Sequence, residues 1–121
     1  MQNFLQAFQH FSRALDLTLS YPAAFGEEYQ SDTWRQLLEL VRQGPGDRAR
    51  WLPAAGAAVD AMPESAGARL ILALTRTAAC QDEAADQAYQ QAEALDQRIR
   101  PFKPRLDEAR VSLNSPSCRS R

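Results

Sequence analysis

Apolar residues recur along this chain at the spacing of amphipathic helices. In residues 3–19 the apolar stripe is formed by Phe4, Phe8, Phe11 and Leu15. Comparable stripes predict further helices over about residues 31–43, 47–62, 64–79, 82–99 and 105–113. Short connections between helices make neighbours antiparallel. The pattern therefore predicts an all-α fold of five to six helices in antiparallel hairpins, either a repeat array or a helical bundle.

Prolines set several of the expected helix ends. Pro22 biases the residue before it away from the helical region, so the first helix should end near Ser20 and residues 20–31 should form a loop. Pro53 lies inside the third apolar stripe and lacks a backbone N–H group. We therefore expect a break or a bend near Leu52, or a helix that begins at Pro53 as its first position.

Two polar residues are placed to cap helices. Ser65 precedes the fourth stripe and Asp82 the fifth, and both side chains can accept hydrogen bonds from free N–H groups of a first helical turn. Pro101 and Pro104 are expected to bracket an extended link around Phe102, before the last short helix.

The composition excludes most other fold classes. Among 121 residues there are 21 Ala, 14 Leu and 11 Gln, but only three Val and two Ile, which favours helices over strands. We expect one domain over residues 1–113, with a thin Ala-rich core, and a disordered tail over residues 114–121. No apolar run is long enough to span a membrane, and the first residues lack the basic start of a signal peptide. A soluble, cytoplasmic protein is the expectation, and 13 Arg against a single Lys suggests a GC-rich bacterial genome.

Charge is distributed unevenly. Residues 1–97 hold seven Arg against thirteen Asp and Glu, a net −6, whereas residues 98–121 hold seven Arg and Lys against two acids, a net +5. A basic segment can contact nucleic acid or an acidic partner surface. Because no recognition helix concentrates these cations on one face, nucleic-acid binding is not expected, and a solvated helix end is the preferred interpretation.

The residue patterns of catalytic sites are absent from the sequence. His10, the single histidine, lies beside the apolar stripe of the first helix with no nucleophile or carboxylate spaced to act with it. Cys80 and Cys118 are 38 positions apart and have no metal-site spacing, and we expect them to be free thiols. The sequence therefore predicts a protein that is not an enzyme, with no metal and no cofactor.

A shift of 34 positions aligns several residues of the chain with one another, among them Arg35 with Arg69, Leu38 with Leu72, and Ala58 with Ala92. Thirty-four residues is the length of a tetratricopeptide unit, which is a pair of antiparallel helices. Residues 66–97 resemble a degenerate unit of that family, through Leu72-Ala73, Ala85, Tyr89, Ala92 and Leu95-Asp96, and residues 32–63 resemble it more weakly through Gly46, Ala58 and Pro63.

The chain also departs from the tetratricopeptide pattern. Arginines stand at the first-helix positions where the family has aromatic residues, Trp51 occupies a small-residue position, and Pro53 interrupts the second helix. In size and build the chain is similar to small bacterial secretion chaperones.

The resemblance implies a groove lined by the first helix of each hairpin. Carried over by position, its inner face consists of Gln36, Leu40 and Gln43 in one unit and of Leu70, Leu74 and Thr77 in the next. The expected function is a non-catalytic adaptor or chaperone that holds a helical or extended segment of another protein in an apolar groove.

Two alternatives to this function stay open. One is an inhibitor or immunity-type protein whose acidic body blocks a basic site on a partner protein. The other concerns assembly, because Phe4, Phe8 and Phe11 are large side chains over a thin core and are candidates for the seam of a homodimer.

Overall fold

The computed structural model describes residues 4–43 and 48–113, without the side chains of residues 43 and 48–50. Within these ranges the chain is all-α, as predicted, and a single 3-10 turn over Gln97–Ile99 precedes the last helix. The six helices are α1 (Phe4–Ser20), α2 (Glu27–Gln43), α3 (Arg48–Ala61), α4 (Ala66–Ala78), α5 (Asp82–Leu95) and α6 (Phe102–Leu113). None of the helices in the described ranges is long and apolar enough to cross a membrane.

Helix α4 lies at the centre of the fold. Of its 13 residues, all but Arg69 and Arg76 are buried, and it contacts each of the other five helices. A helix that is apolar around nearly its whole circumference can only be accommodated with neighbours on every side. The two arginines, seven positions apart, therefore mark its narrow polar edge.

Helices α4 and α5 form an antiparallel pair, as their short connection predicts. Near the start of α4, Arg69 donates a 2.8 Å hydrogen bond to Gln91 near the end of α5. Near the end of α4, Arg76 donates a 3.1 Å bond to the carbonyl of Ala84, near the start of α5. The first helix, α1, also lies against α4. In the part of the chain that is described, this arrangement around a central helix gives no evidence of tetratricopeptide-like repeats.

The start of α4 is tied to α1. The predicted cap is confirmed, because the Ser65 hydroxyl accepts a 3.0 Å hydrogen bond from the Ala68 N–H group. The Asp16 carboxylate adds a second cap from α1, accepting a 2.9 Å bond from the Gly67 N–H group and a 2.5 Å bond from the Ser65 hydroxyl. A negative charge at a helix N-terminus is stabilising, so α1 and α4 are held together by polar contacts as well as by packing.

Two helix starts differ from the expectations. Helix α2 begins at Glu27, four residues before Ser31, because Glu27 and Glu28 suit the positive end of the helix dipole. Helix α6 begins at Phe102, so the predicted extended link around that residue is wrong. Pro104 fits because it lies in the first helical turn, where backbone N–H groups have no partner within the helix.

The expected break at Pro53 and the expected cap at Asp82 are wrong. Pro53 lies inside α3, which continues from Arg48 to Ala61 without a break. Trp51 and Ala55, on either side of it, are fully buried and hold both parts of α3 against the core. Asp82 is the first residue of α5 and not its cap, since the capping position is Gln81, whose side chain makes no capping hydrogen bond.

Cys80 is disulfide-bonded, so the expectation of a free thiol is wrong at this position. It follows α4 with a backbone φ of 65°, in the left-handed region. The 38 positions between Cys80 and Cys118 in the sequence say little about the distance between the two residues in space, because that distance depends on the path of the intervening chain. The second cysteine, Cys118, lies outside the described residues, as does the tail over residues 114–121 that was expected to be disordered.

Candidate functional site

Half of the predicted groove is inside the molecule. Leu70, Leu74 and Thr77 are each 0% exposed, which corrects the expectation that they line an open surface. The physical reason is the central position of α4, because both of its wide faces are covered by other helices. The Thr77 hydroxyl is satisfied locally by a 2.9 Å hydrogen bond to the carbonyl of Ala73.

The other half of the predicted groove lies on α2. Gln36 is exposed, and Leu40 is half-buried and packs against the core. The side chain of Gln43 is outside the described part of the structure. The six residues therefore do not form one continuous surface, and among those whose side chains are described Gln36 and Leu40 are accessible.

The phenylalanines of α1 serve the core of the same chain. Phe4 and Phe8 are buried, with 7% and 0% of their surfaces exposed, and Phe11 is half-buried against the core. Phe4 and Phe8 are thus unavailable as the seam of a homodimer, since α3 and α4 already cover α1. The most exposed large apolar side chains of the described residues lie elsewhere, at Tyr21 after α1 (59%) and at Val111 on α6 (82%).

A cleft of about 490 Å³ lies between α2 and α6. Its α2 side consists of Trp34, Leu38 and Arg42, and its α6 side of Arg105, Glu108, Ala109 and Ser112. The α2–α6 cleft, as we call it, is within the size range of about 300–1,000 Å³ that is usual for binding pockets.

The floor of the α2–α6 cleft is apolar because of the helical period. Trp34 belongs to the buried stripe of α2, and Leu38, one turn later, lies at the edge of that stripe and is half-buried. Ala109 occupies the corresponding stripe of α6 and is 2% exposed. The rings of Trp34 and Phe102, 5.6 Å apart at 49°, join the two helices beneath the cleft. Leu38 is therefore the apolar side chain that the cleft presents to a ligand.

Two hydrogen bonds span the α2–α6 cleft at its ends. Arg105 of α6 donates a 2.9 Å bond to the Ser31 hydroxyl of α2. At the other end, Arg42 of α2 donates a 2.8 Å bond to the Ser112 hydroxyl of α6. Because residue numbers rise together on both helices, α2 and α6 run in the same direction along the cleft.

On its other side, α6 is fixed to α5 by charge. Arg110 donates a 2.6 Å hydrogen bond to Asp86, and its Nε atom lies 3.7 Å from Asp82. This hydrogen bond to the Asp86 carboxylate raises the pKa of the Arg110 guanidinium above its usual value. Lys103 lies 5.3 Å from the centre of the Tyr89 ring. These contacts hold the wall of the cleft in place from behind.

The described residues contain no group of three or more His, Cys, Asp or Glu side chains arranged to hold a metal ion. His10 is exposed on α1, and its ring meets the edge of Phe11 at a centroid distance of 5.9 Å. What the α2–α6 cleft offers chemically is an apolar floor, guanidinium and hydroxyl donors, and one carboxylate.

No protein-family model, curated protein or solved structure matches the chain.

Sequence reasoning missed the α2–α6 cleft. Leu38 appeared only in the apolar stripe over residues 31–43 and in the alignment with Leu72, and Arg105 only as part of the basic segment over residues 98–121. The signal available in the sequence was an arginine beside the apolar stripe of each helix, Arg42 on α2 and Arg105 on α6. That signal becomes a site only once α2 and α6 are known to be neighbours, and 58 residues separate them along the chain.

Proposed function

We propose that this protein is a non-catalytic binding module, an adaptor or chaperone, that holds a helical segment of a partner protein in the α2–α6 cleft. The observation that carries the proposal is the open space between two helices that run in the same direction, with Leu38 half-buried in its floor. A third helix can pack into the groove between two others by placing apolar side chains at i, i+3, i+4 and i+7 on its floor.

The chain provides a matched pair of residues to test this use of the cleft. Leu38 and Leu40 are both half-buried leucines of α2 that pack against the core, but only Leu38 lines the α2–α6 cleft. Changing either one to aspartate should weaken the fold to a similar extent, because each removes similar apolar burial. A difference in binding between the two variants therefore reports on the cleft.

The experiment is affinity capture from the native host with the tagged full chain, with bound proteins quantified by mass spectrometry. We expect Leu38→Asp to lose the partner by about tenfold or more, equivalent to about 1.4 kcal/mol. Leu40→Asp and an exposed control, Val111→Glu, should retain it while circular dichroism stays helical. Retention by Leu38→Asp and loss by Leu40→Asp would place binding on the Gln36–Leu40 face instead and refute the cleft.

The inhibitor alternative is separated by its salt dependence. A partner held through an acidic body should be released steeply as salt rises, because charges are screened over about 10 Å at 0.1 M ionic strength. A helix seated on the floor of the cleft should be retained through moderate salt, since apolar burial is not screened.

A further inference from the structure

The two arginines of the α2–α6 cleft carry charge that no carboxylate among the described residues neutralises closely. Within the described residues Arg105 has no carboxylate within 4.0 Å, and its guanidinium contacts the Ser31 hydroxyl and lies 5.9 Å from the Phe102 ring. Arg42 has Glu39 at 3.7 Å, while its shorter contact, 2.8 Å, is with the Ser112 hydroxyl. Such a long, exposed ion pair contributes little.

Neighbouring cations of the same basic segment behave differently. Arg98 pairs with Asp96 at 2.8 Å, Lys103 with Asp107 at 3.1 Å, and Arg110 with Asp86 at 2.6 Å. In the described part of the segment, the lack of a carboxylate beside Arg105 is therefore local to the cleft.

Hydroxyl partners leave these guanidinium groups able to bind an anion. An arginine side chain has five N–H donors and stays charged at any ordinary pH. A single bond to a serine hydroxyl uses one donor and fixes the side chain across the cleft without neutralising it. Donors that are already held in position lose less entropy when a ligand binds, so Arg42 and Arg105 are prepared receptors at the two ends of the groove.

The two arginines also define a spacing. The helical segments that join the two ends of the cleft are residues 31–42 on α2 and residues 105–112 on α6. At 1.5 Å per residue they span about 16 Å and about 10 Å. Two acidic residues separated by two helical turns, about 11 Å, match the shorter of these spans, the one along α6.

We propose that the α2–α6 cleft recognises an amphipathic helix of a partner protein. This helix carries two acidic residues about two turns apart, and its apolar contact residues lie between them along the helix. The carboxylates pair with Arg42 and Arg105, and the apolar side chains between them lie on Leu38 and Trp34. Glu108, exposed on the α6 wall and without an ion pair to either arginine, adds a preference for a cation on that flank of the helix. This proposal rests on the proposed function and names the chemistry of its partner.

The test uses three synthetic peptides of about 18 residues, long enough to form a helix. They share one apolar stripe of leucine and alanine and differ at two positions two turns apart, which hold glutamate, glutamine or lysine. Binding of the labelled peptides to the full chain is measured by fluorescence anisotropy. We expect the glutamate peptide to bind about tenfold more tightly than the glutamine peptide, and the lysine peptide to bind weakest.

Variants assign the effect to the cleft. The double change Arg42→Gln and Arg105→Gln should reduce the affinity of the glutamate peptide to that of the glutamine peptide. The matched control is Arg35→Gln, which removes a cation from α2 that pairs with Asp32 outside the cleft and should change nothing. Equal affinity for the three peptides, or loss with Arg35→Gln equal to that of the double variant, would refute the acidic recognition.

Failure of this inference can be distinguished from failure of the proposed function. If the peptides bind equally and Leu38→Asp abolishes all three, the cleft holds helices without a preference for acids, and only the charge proposal is lost. If no peptide binds the folded wild-type chain, the acidic-helix proposal is refuted, and host capture with Leu38→Asp then decides the proposed function on its own. Sedimentation could also reveal a concentration-dependent dimer of the wild-type chain that is absent from the double arginine variant. That result would assign the cleft to a second copy of the chain and also overturn the proposal.

Discussion

Replacing Gly67 by alanine tests the contact between α1 and α4 on which the centre of the fold depends. A Cβ atom at this position would lie 2.6 Å from the backbone oxygen of Ser12 and 3.0 Å from both Asp16 Oδ1 and Leu15 Cβ. The nearest of these atoms is backbone, so it cannot rotate away. Helix α1 would have to retreat by about 0.8 Å to restore an ordinary contact of 3.4 Å.

The loss of stability expected for Gly67→Ala can be worked out from the two contacts that a retreat of α1 would disturb. Forcing extra volume into a packed interface costs about 1–3 kcal/mol, and Leu15, whose Cβ atom would lie 3.0 Å from the new methyl group, is fully buried. The same retreat stretches the 2.9 Å hydrogen bond from the Gly67 N–H group to Asp16, a charged bond of the kind that contributes about 1.5–3 kcal/mol. Because only part of that bond is lost, we expect Gly67→Ala to lower the free energy of unfolding by about 2–4 kcal/mol.

Gly56 provides the matched control. It lies inside α3, and a Cβ atom added there meets nothing within 4 Å. Alanine is favoured over glycine inside a helix by about 0.5–1 kcal/mol, so Gly56→Ala should stabilise the protein. Urea unfolding followed by circular dichroism measures both changes, as shifts of the midpoint at constant slope. If Gly67→Ala were as stable as the wild type while Gly56→Ala gained stability, the close approach of α1 to α4 would be wrong.

Three further predictions concern single groups. Burial, with a smaller contribution from Glu93, raises the pKa of Tyr89 from 10.0 to about 12, so stability should be complete below pH 10 and fall as the pH rises towards 12. Tyr89→Phe should remove one late step from the ultraviolet titration. The hydrogen bond from Arg98 lowers the pKa of Asp96 below its usual 3.8; stability from this group is present above that pH and is lost as the pH falls below it. A urea-unfolding series in acid should show a smaller loss for Asp96→Asn than for the wild type. Cys80, being disulfide-bonded, should react with iodoacetamide only after reduction, and mass spectrometry of unreduced protein from its native host would contradict this if it found the residue alkylated.

The fold class was predictable because helical periods are written locally in the sequence. The stripe of α1 and the cap at Ser65 depend on residues within a few positions of one another, and both agree with the structure. The starts of α2 and α6 were placed too late for a related reason. Loop signals such as Pro22 and Pro104 were given more weight than the dipole preference of acidic residues and the tolerance of a first turn for proline.

The candidate site was much less predictable, because it depends on which helices are neighbours. Leu70 and Leu74 have the same local pattern whether α4 lines a groove or fills the centre, and the deciding clue was the apolar character of its whole circumference. Only Arg69 and Arg76 interrupt it. Leu38 and Arg105 line the same cleft from two helices that are far apart in the sequence. A single sequence contains no signal that these two helices are neighbours.

The central position of α4 also determines how the chain must fold. Helix α1 contacts both α2 and α3, but all three of these helices also pack on α4, and so do the two that follow it. A nascent chain that ends before residue 66 therefore lacks the element around which its helices assemble, and lasting order has to wait until α4 has been synthesised. Unfolding should accordingly be a single cooperative transition, in which no fragment on either side of α4 survives as an independent unit.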